Sequence, residues 1–314
     1  MLTSISICIP AYKRVNYLER LLKSIDSQSY LNFDVIITDD SGEDTVVEKY
    51  LNSSVFKFKI QYFKNKTSLG SPMNWLAAMS HAKGDWIKIM HDDDYFSSID
   101  SLKFFADNMT KGIDCIFSGY NIVYDNYSLK DMTIKSSLFK RVLKNPFILS
   151  ANNVIGPPSV LALKREILDT YDTRLKWIVD WEYYIRLASK YNIHYINKPL
   201  VCVSYNDSQI TNAVKGNPNV EIPEMMIFLQ KYNVNILKSV IVYDSWWRLI
   251  RNLNINSVEK FSNFHHGNIP NFIIRIIKFQ SLFKAKVIKI GAISKILMFG
   301  SYIKFRYSIY NQEV

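Results

Sequence analysis

Short apolar runs alternate with amphipathic stretches through the first half of the chain. Residues 5–9 (ISICI) form a β-rich run that ends at Pro10. After YKR, apolar Val15, Leu18, Leu21, Leu22 and Ile25 recur at helical spacing. Residues 33–38 (FDVIIT) predict a second strand, followed by Asp39, Asp40, Ser41 and Gly42 and then a short helix from about Asp44. A third strand is expected over 58–63. Ser71 and Pro72 suit the N-cap and first turn of a helix whose body is 74–82 and whose stop is Gly84. Next comes WIKIMHDDDYF, residues 86–96, an apolar strand that runs into three consecutive aspartates and two aromatics.

Strands and helices joined by short connections predict an α/β fold with a doubly wound parallel sheet. In such a sheet, Pro10, Asp39, Asp40 and Asp92 to Asp94 all fall at the C-terminal edge, where the loops leaving the strands form the ligand crevice. Three adjacent carboxylates repel one another, and a hard divalent cation on oxygen ligands is a common compensator. By itself the triplet fits that role and also fits a solvated acidic turn that caps the next helix. The chain contains neither G-x-G-x-x-G nor G-x-x-x-x-G-K-[ST], which argues against a dinucleotide dehydrogenase and a P-loop enzyme.

Three segments in order, ISICIPAYKR, VIITDDSGED and IKIMHDDDYF, resemble the signatures of family 2 glycosyltransferases of the GT-A fold, and the likeness extends over about residues 1–210. It implies a Rossmann-like, mostly parallel sheet flanked by helices over 1–215, with a helical C-terminal region over 216–314. It also implies that the loop holding Pro10 and Tyr12, together with Asp40, grips the base and ribose of a nucleoside diphosphate sugar. The D-x-D element would bind Mn²⁺ or Mg²⁺ on the diphosphate. The family's leucine and D-x-D-D fall on Met90, His91, Asp92, Asp93 and Asp94. The match assigns the metal to Asp93, replaces the first acid by His91, and leaves Asp92 as the alternative for that acid's role against the donor.

Further along, a helix is expected over 99–109 and a strand over 114–124. Residues 125–152 have no clear period and read as an acceptor-facing segment. Gly156, Pro157 and Pro158 make a rigid loop before a strand over 159–163; it reads as a plain turn or as a wall of the sugar pocket. LKWIVDWEYYIRLASKY, residues 175–191, predicts a helix with Asp180 at its start. An acid there complements the helix dipole, whereas the family likeness of VDWEYYIRL implies that Asp180 is the catalytic base, with Glu182 as the fallback. Residues 194–205 predict a strand pair or hairpin, and no role is assigned to the YNDSQIT that closes it.

Beyond residue 220 the pattern turns helical. Trp246, Trp247, Arg248 and Arg251 suit helix packing better than a membrane interface. The tail, 271–307, interleaves Ile, Leu and Phe with lysines, which fits an anionic membrane surface or a packed helix pair. None of its uncharged runs approaches the ~18 residues of a membrane span. Residues 1–4 do not resemble an export leader, so a cytoplasmic enzyme on the inner face of the membrane is expected. Cys8, Cys115 and Cys202 lie far apart in apolar runs and read as reduced core residues.

The net charge of +11 favours phosphate-bearing partners. It raises a nucleic-acid-binding alternative, against which the converging aspartates speak because they would repel phosphate. A catalytically degenerate sugar-nucleotide binder is the other alternative, motivated by His91 and by Val179 where the family carries acids. The expected function is inverting, metal-dependent sugar transfer to a hydroxyl of a glycan or lipid-linked glycan, with no nucleic acid partner.

Overall fold

Strands apolar on both faces need cover on both faces, and β1 (Ile5–Ala11), buried along its whole length, is an interior strand of the sheet. It pairs in parallel with β2 (Phe33–Asp39) on one side and β4 (Trp86–Ile89) on the other, and β2 pairs in parallel with β3 (Ile60–Lys64). The helix α1 (Val15–Asp26) buries Leu18, Leu21, Leu22 and Ile25 against this layer. The computed structural model describes residues 2–124, 128–167, 169–205 and 214–310. Among these, the sheet has nine strands: β3, β2, β1 and β4 are followed in order by β8 (Leu161–Lys164), β6 (Cys115–Val123), β9 (Ile193–Ser204) and β5 (Tyr95–Phe96), with β7 (Leu129–Met132) beside β6.

The mostly parallel expectation holds for the first half; the second half mixes directions. The strand β8 (Leu161–Lys164) runs antiparallel to both β4 and β6 (Cys115–Val123), and β5 (Tyr95–Phe96) runs antiparallel to β9 (Ile193–Ser204). The expected hairpin at 194–205 is one long strand, β9, parallel to β6. A bulge absorbs Asn197 and Lys198: the register passes from Ser118 opposite Ile196 to Gly119 opposite Pro199. Gly119 permits this, because a Cβ there would come within 3.1 Å of the Lys198 backbone.

Other boundaries differ for physical reasons. The first strand does not stop at Pro10. Cys8 accepts from Met90 N at 3.0 Å, so Pro10, two residues on, faces the same side, where β4 has already ended; its missing N–H breaks no ladder bond. The helix α3 (Met73–Ser80) starts after Pro72, which is its cap, so Ser71 is not the N-cap. Residues 125–152, left without a period, contain β7 (Leu129–Met132), α5 (Ser136–Lys144) and the short α6 (Ile148–Ala151). The helix α7 (Val179–Lys190) is shorter than expected and places Asp180 inside its first turn.

The chain divides into two compact units: 1–146, 154–173 and 179–209 in the first, and 147–153, 174–178 and 210–314 in the second. A single cut near 215 therefore misses two short segments that belong to the helical unit. Within that unit, the Glu224 carboxylate accepts the amides of Lys176, Trp177 and Ile178 at 2.8, 2.9 and 3.0 Å. Trp246 and Trp247, on the helix Val240–Asn252, are fully buried, so packing is their role. Among the described residues, no helix is long and apolar enough to cross a membrane.

Candidate active site

The strand β4 carries its acids into the crevice beside the end of β1. Tyr12 N donates to Asp92 Oδ2 at 3.2 Å, and Arg14 grips both neighbouring carboxylates, through Nη2 to Asp92 Oδ1 and through Nη1 to Asp93 Oδ2 at 2.9 Å. Arg20, reaching over from α1, donates to the Asp93 carbonyl at 2.7 Å and to Ser204 Oγ; Ser204 Oγ donates to the same carbonyl at 2.6 Å. The Arg20 guanidinium lies 4.4 Å from the Tyr95 ring centre. The turn is thus fixed at its side chains and at its backbone.

Burial sets the charge balance. Asp92 is 2% exposed, and burial pushes its carboxyl up to about 7 while Arg14 pulls it back. Asp94 is raised well above the carboxylate range, first by burial and then by Asp93; the Ser159 hydroxyl and the Ser204 amide oppose the shift. Beneath the turn, Lys88 is fully buried, with Nζ donating to Ile89 O at 2.9 Å and to Ser159 O, and with the Phe105 ring centre 4.9 Å away. Burial lowers its ammonium to about 7, and Asp94 is the charge that holds it up.

Ser159 links these groups. Its carbonyl accepts from Lys88 and its Oγ from His91 N at 2.9 Å. The Gly-Pro-Pro loop is therefore more than a plain turn, because it delivers Ser159 to the acids. Gly156 sits at φ +115°, and a Cβ there would meet Tyr120 Cε1 at 2.5 Å, so the loop needs glycine at that point.

His91 is held between this support and an aromatic row. Its ring centre is 4.7 Å from that of Trp75, which meets Tyr171 edge-on at 5.1 Å; Tyr171 in turn lies 4.2 Å from Tyr183 on α7. Burial lowers the His91 imidazole to about 4, against the pull of Asp93, so it is neutral at physiological pH. Among the described residues, its Nε2 is closed from water and has no hydrogen-bond partner. Ligand atoms of His91, Asp93 and Asp94 lie within 4.8 Å of one another, a spacing and donor set that fit one divalent cation.

Of the residues expected at the site, Pro10, Tyr12, Asp92 and Asp93 come together. Pro10 is in β1, and the Tyr12 side chain is 48% exposed at the crevice mouth. Asp40 differs. Its backbone amide donates to Ala11 O at 2.9 Å, but its carboxylate accepts from Asn65 Nδ2, Ser68 Oγ, Leu69 N and Gly70 N at 2.7 to 2.8 Å. Four donors fill the acceptor capacity of a carboxylate, so in this arrangement Asp40 folds the 65–70 loop and presents no vacant oxygen to a nucleotide.

Asp180 is half-buried, with Oδ1 accepting from Trp181 N at 2.7 Å; burial first, and then its charge, raises the phenols of Tyr120, Tyr171 and Tyr184. It therefore lies beside the aromatic row that reaches His91. Glu182, the fallback base, is fully buried and paired with Arg186 at 3.0 Å, an arrangement that makes it part of the α7 packing. The residues after Tyr205 in YNDSQIT lie outside the described residues. Sequence reasoning missed Arg14, Arg20, Lys88, Ser159 and Ser204. Lys88 alone left a signal, as a lysine in an otherwise apolar strand.

The sequence model of Glycosyl transferase family 2 matches residues 6–171, and the chain belongs to that family. It is 30% identical over 227 residues to the abequosyltransferase RfbV of Salmonella typhimurium, covering 65% of this chain and 68% of that protein. It is 24% identical over 238 residues to an Escherichia coli enzyme, the UDP-Glc:alpha-D-GlcNAc-diphosphoundecaprenol beta-1,3-glucosyltransferase WfgD, over 75% of this chain and 89% of that one. The fold is shared with S. aureus TarS 1-349 in complex with UDP-GlcNAc. That match has a TM-score of 0.55 at 16% identity and covers 98% of this chain and 81% of TarS 1-349.

Arg14 stands where an uncompensated pair of acids would otherwise remain. Arg14→Met should lower stability in EDTA by roughly 1–3 kcal/mol, less than loss of one partner from a fully buried pair because the Arg14 side chain is 30% exposed. Added Mn²⁺ should then raise the melting temperature of the variant more than that of the wild type. Urea and thermal unfolding with and without metal measure both effects; unchanged stability in EDTA would mean that the acids do not depend on this guanidinium.

Proposed function

We propose that this glycosyltransferase moves a sugar, with inversion, from a nucleoside diphosphate sugar to a hydroxyl of a glycan or lipid-linked glycan during surface polysaccharide synthesis. The observation that carries the reading is the buried acid turn, aligned with the family motif and open to the crevice beside Tyr12. Similarity to RfbV and WfgD, whose names specify an abequosyl transfer and a diphosphoundecaprenol-linked acceptor, supports the donor and acceptor classes.

Bond breaking sends negative charge onto the diphosphate. Asp93, beside Asp94, would hold Mn²⁺ or Mg²⁺ there, and the ion's contribution when bound is Lewis-acid stabilisation of the leaving group. Arg14 bridges Asp92 and Asp93 and fixes them in place, and the exposed Tyr12 ring offers a stacking surface for the base. Inversion requires the acceptor hydroxyl to attack from the face opposite the diphosphate and to lose its proton. Asp180, half-buried in the first turn of α7, is the base in this reading.

The C-terminal helices supply a surface for the membrane that carries a lipid-linked acceptor. Leu282, Ile290, Ile296, Phe299 and Ile303 are 47% to 72% exposed and interleaved with exposed Lys284, Lys286 and Lys289. This combination fits an anionic leaflet.

Asp180→Asn should lower kcat by roughly 10² to 10⁴, as loss of a general base does, with little change in donor affinity. A capping role predicts near-wild-type turnover instead, because asparagine caps about as well as aspartate. Transfer kinetics and donor titration on one purified variant separate the two, and near-normal kcat would remove Asp180 from the mechanism.

For the membrane surface, the protein should sediment with vesicles containing anionic lipid and release as salt shortens the Debye length below ~10 Å. Lys284→Gln, Lys286→Gln and Lys289→Gln combined should weaken sedimentation. Lys295 is left intact because it pairs with Asp244 at 2.7 Å. No sedimentation at low salt, or sedimentation equal for neutral and anionic vesicles, would contradict the electrostatic part of this reading.

A further inference from the structure

We infer that His91 is itself a ligand of the divalent ion, and that its imidazole biases the site toward manganese- and cobalt-like ions over magnesium. The inference rests on the donor-site reading above and goes beyond it in naming an additional ligand and the ion preference that follows.

Three observations carry it. First, among the described residues His91 Nε2 is closed from water and has no partner, although a buried polar atom left unsatisfied is costly. Asp93 and Asp94 place carboxylate oxygens within 4.8 Å of one His91 ring nitrogen, so the imidazole is within reach of an ion held by those acids. Second, the ring is already held. The His91 amide is bonded to Ser159 Oγ at 2.9 Å, and the ring packs on Trp75, so ligation demands little ordering of the side chain. Third, the charge available to an ion is low: two carboxylates and a neutral nitrogen, with Arg14 on Asp93 Oδ2 at 2.9 Å.

Magnesium is held mainly by charged oxygens in near-octahedral geometry and gains little from imidazole. Affinity at a nitrogen-containing site instead rises from manganese through cobalt along the divalent series. Trading a carboxylate for His91 therefore weakens the pull on magnesium and preserves binding of ions that accept nitrogen.

The test uses the metals alone on the whole 314-residue chain, so it needs neither donor nor acceptor. Pulsed EPR of bound Mn²⁺ should show coupling to a ¹⁴N nucleus in the wild type and lose it in His91→Asp while Mn²⁺ stays bound. Titration calorimetry should show the ratio of Co²⁺ to Mg²⁺ affinity falling in His91→Asp by roughly 10- to 100-fold, at least the effect of losing an outer-shell partner. Mn²⁺ that is bound in the wild type and lost in Asp93→Asn, but shows no ¹⁴N coupling, would overturn the His91 assignment and leave the donor site standing. Mn²⁺ binding unaffected by Asp93→Asn would overturn the donor-site reading as well. The wild-type spectrum decides the ligand whether or not the His91 variant folds.

Discussion

Three adjacent aspartates at the end of a buried strand are an electrostatic liability, and much of the first unit is arranged around their compensation. Asp92, Asp93 and Asp94 are each at least nine-tenths buried. Carboxylates so placed neutralise unless cations and donors are supplied locally. Arg14 covers Asp92 and Asp93 from the crevice side, Arg20 fixes the Asp93 carbonyl, and Lys88 lies beneath Asp94. The same acids would be idle charge in a sheet lacking these partners.

The mixed strand directions serve that compensation. A purely parallel sheet would bring only strand C-termini to the crevice. The antiparallel β8 instead starts there, preceded by the Gly-Pro-Pro loop, and so brings Ser159 from the N-terminal side to His91 and Lys88. The bulged β9 carries Ser204 to Asp93. Transfer chemistry then needs two regions, a charged turn for the leaving diphosphate and a base for the acceptor. The aromatic row Trp75, Tyr171 and Tyr183 runs from His91 to α7, the helix that holds Asp180.

Much of this was legible in the sequence because it depends on local pattern. The periodicity of Leu18, Leu21, Leu22 and Ile25 gave α1, and acids following apolar runs marked the crevice edge at Asp40 and Asp92 to Asp94. Direction and partner choice were not legible, because they depend on residues distant in the chain: Lys88 meets Ser159, and Arg20 meets Ser204. The carboxylate of Asp40 faces inward for the same reason, since its four donors come from residues 65–70. The single-strand course of 193–204 was hidden by Asn197, Lys198 and Pro199, which resemble a turn in sequence and form a bulge in the sheet.

On the proposed reading, the β4 acid turn is a metal-dependent diphosphate site. Its most direct measurement is the melting temperature of the wild type and of Asp93→Asn against UDP, GDP, CDP and dTDP, each with and without Mn²⁺. A ligand that binds only the folded state adds about 2.7 kcal/mol at a hundredfold excess over Kd, enough to be seen. At least one diphosphate should stabilise the wild type only when Mn²⁺ is present, and Asp93→Asn should lose this effect while melting normally alone. Stabilisation of equal size with and without Mn²⁺ in both proteins would contradict it.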